Sequence, residues 1–343
     1  MKDFEEYLRL GEPDKIEKSK NWQAAIGLQD VDGLKPSKYL IENAKLNIEG
    51  KISFNEVRER LNNYYIEKPV KDINDRTEEA DKVSAAIAEI LSEKTFSFRP
   101  AEYISIHKRL FTGIYKFAGK IRDYNISKNE WVLNGESVFY ASANDIQATL
   151  DYDFLQEKNF NYKGLSKDDT VEHIAKFISG IWQIHAFGEG NTRTTAVFAI
   201  KYLRMFGFNV ENDLFAENSW YFRNALVRAN YNNYEKGVYS TMEYLNRFFS
   251  NLLFNQNFPL KNRFMHIHCQ KDGTINNESG TINNESGTIL SLIMGNPNIT
   301  SIEIHEKSGL SIRTVKRRIK DLKEQKRIKR EGSNKNGYWK ILE

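Results

Sequence analysis

Within nine residues, His185-Ala186-Phe187-Gly188-Glu189-Gly190-Asn191-Thr192-Arg193, the chain gathers an imidazole, a carboxylate, a glycine turn and a guanidinium. That combination suits phosphate chemistry. Gly190 lets the backbone approach a ligand closely, and the N–H groups of Gly190, Asn191 and Thr192 at the start of a helix point at anionic oxygens. Arg193 adds a bidentate partner for the same oxygens. Glu189 beside an anion is unfavourable unless a divalent cation lies between them, and Mg2+ held by one carboxylate plus substrate phosphates is the usual arrangement. His185 falls at the C-terminal end of the preceding helix, where an imidazole can titrate near neutral pH and take a proton from an attacking hydroxyl. Phe187 points the other way, as a core plug. A local salt bridge between Glu189 and Arg193 is the plainer alternative, but it leaves the glycine turn and Asn191 unexplained.

The flanking elements must place these groups. Apolar residues at 171, 174, 178, 181 and 182 give Val171 to Ile184 one buried helical face, with Asp168 or Asp169 as its cap. Thr194 to Phe206 is a second apolar helical run, so the nine residues form the connecting loop and the start of that second helix. Upstream, Gly119-Lys120-Ile121-Arg122 and Trp131 to Val138 mix strand formers with an Asn-Gly turn signal and read as a hairpin. Downstream, Trp220 to Tyr231 is a helix rich in side chains suited to a base pocket, with Asn224 and Tyr231 as candidate contacts.

The loop resembles the signature of the Fic family, His-x-Phe-x-Asp/Glu-Gly-Asn-x-Arg, in register. The resemblance implies a core of about six to eight helices and transfer of AMP from ATP to a Tyr, Thr or Ser hydroxyl of a target protein. It assigns His185 as general base, Glu189 as the Mg2+ ligand and Gly190, Asn191 and Thr192 as the anion hole. Arg193 becomes the phosphate ligand. The catalytic set is then His185, Glu189, Asn191 and Arg193, and the nucleotide set Gly188 to Arg193 with Asn224 and Tyr231. The hairpin becomes a flap that holds the target by strand addition. The chain departs from the family's commonest form at Ala186, Thr192 and Ala196, where Pro, Gly and a second Arg usually stand. That second Arg ordinarily meets the γ-phosphate and pairs with an inhibitory Glu, so other donors such as UTP, GTP or a CDP-choline moiety stay open.

The chain has 343 residues, six prolines and one cysteine, Cys269, and no long apolar span. Two or three domains, a reducing compartment and a cytoplasmic location, with no membrane, are expected. Residues 1–66 read as a helical module, broken at Gly27 to Ser37, with Pro36 beginning the next helix. The module is similar to the antitoxin-like unit that covers the nucleotide site in some Fic systems. Asp32-Gly33 stands for the inhibitory Glu-Gly, which makes Asp32 a regulatory candidate.

Residues 67–260 are the expected catalytic domain and 261–287 a linker, in which Thr274 to Gly280 is repeated identically as Thr281 to Gly287. Residues 288–343 resemble a winged helix-turn-helix: short helices over Ile289 to Met294 and Ser301 to Lys307, a longer one over Ser311 to Arg327, and a closing hairpin. From residue 286 onward 13 Lys/Arg stand against 6 Asp/Glu, a net of +7, which leaves −3 for the rest of a chain whose total is +4. Double-stranded DNA is the expected partner there, through Arg313, Thr314, Arg317, Arg318 and Lys335. A protein-interaction or dimerisation face is the alternative.

The fold class expected is mainly α: a Fic helical core with a β-hairpin flap, plus the winged domain. The function expected is protein adenylyltransfer with ATP and Mg2+. Its partners are a hydroxyl-bearing target protein, DNA and a second copy of the chain. The competing reading is a DNA-binding transcriptional regulator whose Fic domain is a degenerate nucleotide sensor: Ala196 favours it, and retention of His185 opposes it.

Overall fold

The computed structural model describes residues 3–70, 72, 75–208, 210 and 213–267, and in the C-terminal stretch 289, 293, 296–308, 315–316, 319–320, 322–323, 328–331 and 338–342. The chain divides into two compact units, Met1–Cys269 and Gln270–Glu343.

The first unit is helical. It begins with α1 (Glu5–Leu10) and α2 (Pro13–Gly27), followed by a 3-10 turn over Leu28–Asp32. Then come α3 (Lys38–Ile48) and α4 (Phe54–Glu67). Pro13 opens α2, where its missing N–H costs nothing. The second half of α2 is buried, and its last residue, Gly27, lies so close to Ala216 that a Cβ would sit 2.3 Å from the Ala216 carbonyl oxygen. Ser37, rather than Pro36, sets the start of α3, because its hydroxyl accepts the Leu40 N–H at 3.1 Å. Ser53 and Glu56 form a reciprocal capping box on α4.

The remaining helices are α5 (Thr77–Ser92), α6 (Pro100–Phe111), α7 (Ile146–Asn159), α8 (Lys167–Ile184), α9 (Asn191–Met205), α10 (Asp213–Ala229) and α11 (Glu243–Phe254). Ser166 caps α8 by accepting the Asp169 N–H at 3.1 Å, so the expected aspartate caps are corrected to the serine before them. A residue preceding the first turn can offer its oxygen to the orphan N–H groups, whereas Asp168 and Asp169 already lie inside that turn. Every residue of α9 from Asn191 to Leu203 is buried, which makes it the central helix of the unit.

One apolar cluster runs through this unit. Trp22, Leu28 and Val31 belong to the same core as Ile181, Phe187 and Phe198, so the helices before residue 67 have no separate core of their own. Trp22 is fully buried and donates its Nε1–H to Asn47 Oδ1 at 3.0 Å.

Between α6 and α7 the expected hairpin is a turned-back loop without strands. Glu130 N–H donates to the Glu136 carbonyl at 3.0 Å, and a single 3-10 turn spans Trp131–Leu133. Asn134 (φ 56) and Gly135 (φ 87) make the reversal. Side chains replace the strand ladder: the Lys128 N–H donates to Ser137 Oγ at 3.0 Å, and Arg122 reaches the carbonyls of Tyr124, Ala141 and His185.

In the second unit α12 (Ser301–Ser308) is capped by Thr300, whose hydroxyl accepts the Glu303 N–H at 3.2 Å. Strands β1 (Ile328–Glu331) and β2 (Tyr338–Ile341) pair antiparallel, with Arg330 opposite Trp339. Ile289, Ile293, Ile299, Ile304, Val315, Ile319, Leu322, Ile328 and Trp339 form its core. The tandem repeat and the DNA-contact candidates Arg313, Thr314, Arg317, Arg318 and Lys335 lie outside the described residues.

Because Trp22 sits in the shared core, Trp22→Ala is expected to destabilise the whole first unit by about 3–5 kcal/mol, as large core deletions do. Denaturant unfolding followed by far-UV circular dichroism should show one shifted transition. A separate early transition of the N-terminal helices would contradict a common core.

Candidate active site

The loop from His185 to Gly190 is built by the two helices it joins. α8 ends at His185, which takes a left-handed conformation (φ 50, ψ 58), uncommon for a residue with a side chain. Arg122 holds that end, with its Nε donating to the His185 carbonyl at 2.8 Å and its own N–H donating to the Ala186 carbonyl at 2.9 Å. Phe187 is fully buried, its ring stacked 3.7 Å from His107 and 5.6 Å from Tyr103 between centroids. Asn191 locks the turn reciprocally: Phe187 N–H donates to Asn191 Oδ1 at 2.9 Å, and Asn191 Nδ2 donates to the Phe187 carbonyl at 2.7 Å. Its amide is therefore spent on the loop's shape.

Gly190 precedes α9 with φ 78, and a Cβ there would lie 2.3 Å from the Phe111 ring. Only glycine meets both conditions. The first bond of α9 runs from Thr194 N–H to the Gly190 carbonyl at 3.0 Å, so the N–H groups of Asn191, Thr192 and Arg193 have no carbonyl one turn back. An oxyanion is the partner such a helix start takes.

His185 lies in this site nearly buried, its ring 4.1 Å from that of Tyr140, and its Nδ1 has no hydrogen-bond partner. Burial, helped by the positive charges of Lys128, Arg122 and Arg223, holds its pKa well below the usual value. The imidazole is therefore neutral at physiological pH, the form a general base requires.

Glu189 is half-exposed and ion-paired with Lys128 from the flap, which also reaches the Gly188 carbonyl at 3.3 Å. Among the described residues no three His, Cys, Asp or Glu side chains converge on a metal position. The donor set is thus one carboxylate beside an anion site, which fits Mg2+ completed by substrate oxygens. Lys128 holds the carboxylate that the metal would use.

Arg193 is completely buried. Its NH2 reaches Asp32 Oδ2 at 2.8 Å and Glu79 Oε1 at 2.7 Å, its NH1 donates to Gln29 Oε1 at 3.0 Å, and its guanidinium lies over the Phe111 ring at 4.9 Å. Burial opposes its charge, but Asp32 and Glu79 outweigh that and raise its pKa. Glu79 is likewise pushed up by burial but pulled below its ordinary value by Arg76, Arg193 and Tyr115. The second oxygen of Asp32 lies 3.5 Å from Arg223, which also pairs with Glu130 at 3.0 Å.

A cavity of about 540 Å3 has Asp32, Arg76, Lys128, His185, Glu189, Thr192 and Arg223 in its lining, whereas Arg193 and Glu79 do not line it and Arg193 is held by Asp32. That volume lies within the range of small-ligand sites. Gly190 and Asn191 line it too, while Gly188 does not. Asn224 and Tyr231 are elsewhere: Asn224 is buried against Asn262 at 2.7 Å, and Tyr231 donates to Glu136 of the flap. α10 faces the cavity instead with Trp220 and Arg223, and the flap adds Trp131. A larger cavity of about 670 Å3 lies at the other end of α9, but Lys201 and Arg204 there donate to carbonyls at the end of α5.

Lys128, Glu79, Gln29, Arg223 and His107 were not expected at the site. His107 donates Nε2–H to the Glu189 carbonyl at 3.0 Å while its Nδ1 accepts the Gly119 N–H at 2.9 Å, a pairing that fixes the neutral tautomer.

Comparison with known proteins agrees on the class. Residues 97–203 match the Fic/DOC family and residues 287–329 the winged helix-turn-helix DNA-binding family. The chain therefore carries a Fic domain followed by a winged helix-turn-helix. It is similar to the protein adenylyltransferase VbhT of Bartonella schoenbuchensis, 26% identical over 108 residues that make up 32% of this chain and 21% of that protein. It is also similar to the probable protein adenylyltransferase y4lH of Sinorhizobium fredii, 25% identical over 130 residues, 38% of this chain and 64% of that protein. The matched stretch thus spans less than two thirds of either relative. Among solved structures, the N-terminal Fic domain of the Bep8 effector of Bartonella sp. 1-1C aligns with 22% identity and a TM-score of 0.40, covering 51% of this chain and 82% of that one. The N-terminal Fic domain of a Bep effector of Bartonella sp. AR 15-3 aligns with 21% identity and the same TM-score, covering 51% and 79%. No helix among the described residues is long and apolar enough to cross a membrane.

The two buried imidazoles make stability depend on pH. Burial lowers His107 to about 4 and His185 well below its usual value. As pH falls below about 6.5 the unfolded chain takes up protons at these positions before the folded one does, so stability is lost on acidification, at roughly 1.4 kcal/mol per pH unit for each imidazole. Denaturant unfolding between pH 6.5 and 5 should show that slope, and His107→Gln should reduce it by the share of one imidazole. An unchanged slope in the variant would contradict a neutral His107.

Proposed function

We propose that the chain is a protein adenylyltransferase, moving AMP from ATP to a Tyr, Thr or Ser hydroxyl of a target protein. The observation that carries this reading is a neutral, left-handed His185 in the same cavity as the bare N-terminus of α9. The target hydroxyl gives its proton to the His185 imidazole as its oxygen bonds to the α-phosphorus. The α-phosphorus to bridging-oxygen bond breaks, and pyrophosphate leaves with that oxygen. The N–H groups that open α9 receive the charge on the phosphate oxygens. Glu189 would hold Mg2+, which when bound supplies positive charge against the phosphates, and Lys128 would then exchange from the carboxylate to solvent or phosphate.

On this reading Asp32 is inhibitory, since its carboxylate occupies Arg193. In this conformation the chain would be at rest, and activity would require that contact to open. The winged domain would bring the enzyme to duplex DNA. The alternative of a nucleotide-sensing regulator draws support from Ala196 and from the complete engagement of Arg193, and it predicts nucleotide binding without transfer.

The direct test is incubation of the full chain with α-labelled ATP, Mg2+ and a cell lysate. Label should appear in protein, increase at least several-fold in Asp32→Ala and vanish in His185→Ala. Calorimetry should find ATP affinity largely kept in His185→Ala, because a proton acceptor acts in the transition state, and weakened in Glu189→Ala when Mg2+ is present. Equal loss of binding in the two variants would contradict the roles, and binding without label in Asp32→Ala would favour the sensor. For the winged domain, duplex DNA affinity of the full chain should fall with salt at a log–log slope of about −0.9 per phosphate neutralised. Replacing Arg317 and Arg318 by Ala should flatten that slope by about one to two; no binding at low salt would return the domain to a protein-interaction role.

A further inference from the structure

Position 196, where the Fic signature usually has its second arginine, is a fully buried alanine, and the cavity is nevertheless lined by two arginines from outside the signature, Arg76 and Arg223, of which Arg223 pairs with Asp32. Arg223 comes from α10, packed beside Trp220 with its guanidinium 5.6 Å from that ring's centroid. The Asp32 carboxylate straddles the two arginines, one oxygen 2.8 Å from Arg193 and the other 3.5 Å from Arg223. A carboxylate held by its separate oxygens between two guanidiniums occupies the place of any oxyanion of similar span. The Nε atoms of both Arg193 and Arg223 are buried without a hydrogen-bond partner, so each cation has donor capacity that Asp32 leaves unused. A phosphoryl group, with three oxygens in place of two, has the acceptors to use more of it.

The charges agree. Arg76, Arg193 and Arg223 face Asp32, Glu79 and Glu130 in one continuous chain of ion pairs, three of each sign. Withdrawal of Asp32 leaves that chain with one uncompensated positive charge around a partly closed, low-dielectric cavity, which an entering anion restores to balance. The same cavity is lined by Gly190, Asn191 and Thr192 at the start of α9 and by Asp32 and Arg223, so it offers two anion positions: the helix N-terminus and the place of the Asp32 carboxylate, beside Arg223 and with the buried Arg193 on its other oxygen.

We propose that Arg223 joins Arg193 in binding a distal phosphoryl group of the nucleotide donor, in the seat that Asp32 holds in the resting chain, and so performs from α10 the task for which position 196 has no side chain. The ligand class is a nucleoside di- or triphosphate, with its α-phosphoryl at the helix start and a later one between the arginines. This inference rests on the donor reading above and adds to it the residue that measures the length of the phosphate chain. Arg223 is a binding residue with no part in proton transfer.

The test is equilibrium binding of ATP and of AMP to the full chain in four forms: wild type, Asp32→Ala, Asp32→Ala with Arg223→Gln, and Asp32→Ala with Arg223→Lys. Asp32→Ala should tighten ATP at least tenfold and AMP less than threefold. Adding Arg223→Gln should remove most of the preference for ATP over AMP, while Arg223→Lys should keep a substantial part of it, because a point charge still meets the phosphoryl without the fork. Inorganic triphosphate, measured as a competitor of ATP, should lose affinity in the Gln variant in parallel, which a disturbed flap or base pocket would not cause. If ATP preference and triphosphate competition survive Arg223→Gln, the inference is overturned while the donor reading stands. If Asp32→Ala binds no nucleotide at all, both fall together.

Discussion

Burying one arginine organises the first unit. A guanidinium with no exposed surface is tolerable only if charged and polar partners are carried to it, and Arg193 takes Asp32 and Gln29 from the 3-10 turn after α2 and Glu79 from α5. Removing a single partner from such a buried set costs about 3–5 kcal/mol by leaving a charge uncompensated. The turn at Leu28–Asp32 is thereby tied to the signature loop across more than 150 residues of sequence. Asp32 extends the chain of ion pairs to Arg223, and Arg223 extends it to Glu130 at the foot of the flap. Glu130 in turn accepts from Tyr140 at 3.4 Å, and the Tyr140 ring lies against His185.

On the proposed function, that arrangement would place regulation and chemistry on the same side chains. The groups that would bind phosphate are the groups that hold this structure together, so on the proposed reading the ligand would compete with an internal carboxylate rather than enter a vacant site. The shared core explains why the N-terminal helices cannot be regarded as a detachable cover. Trp22, Leu28 and Val31 are packed among residues of the central helices, and the Asp32–Arg193 ion pair is one contact at the edge of that packing. On the proposed reading, relief of inhibition would be a local event at the 3-10 turn.

Local patterns were the legible part of this protein. The helices on either side of the signature loop follow from apolar spacing, and the loop's chemistry follows from its residue types. The reversal at Asn134-Gly135 was visible from the dipeptide, but the strands expected around it were not formed, because backbone bonding there is taken up by a 3-10 turn and by side chains such as Arg122. Asn224 and Tyr231 were placed at the pocket from residue type alone. The helix presents Trp220 and Arg223 there instead, and nothing in the local sequence sets the rotation of α10 against the loop. Lys128, Glu79 and His107 act through contacts 61, 114 and 82 residues away along the chain, a separation at which spacing carries no signal.

The central claim is that nucleotide and the Asp32 turn compete for the buried arginine. Hydrogen exchange of backbone amides, with and without ATP and Mg2+, tests it directly. The Gly33 and Leu34 N–H groups close the turn on the Asp30 and Gln29 carbonyls, each at 3.1 Å. Nucleotide should speed exchange at these two amides while slowing it at Asn191, Thr192 and Arg193, which open α9. Protection at the α9 start with no change at Gly33 and Leu34 would contradict the account, since the phosphate would then bind without displacing Asp32.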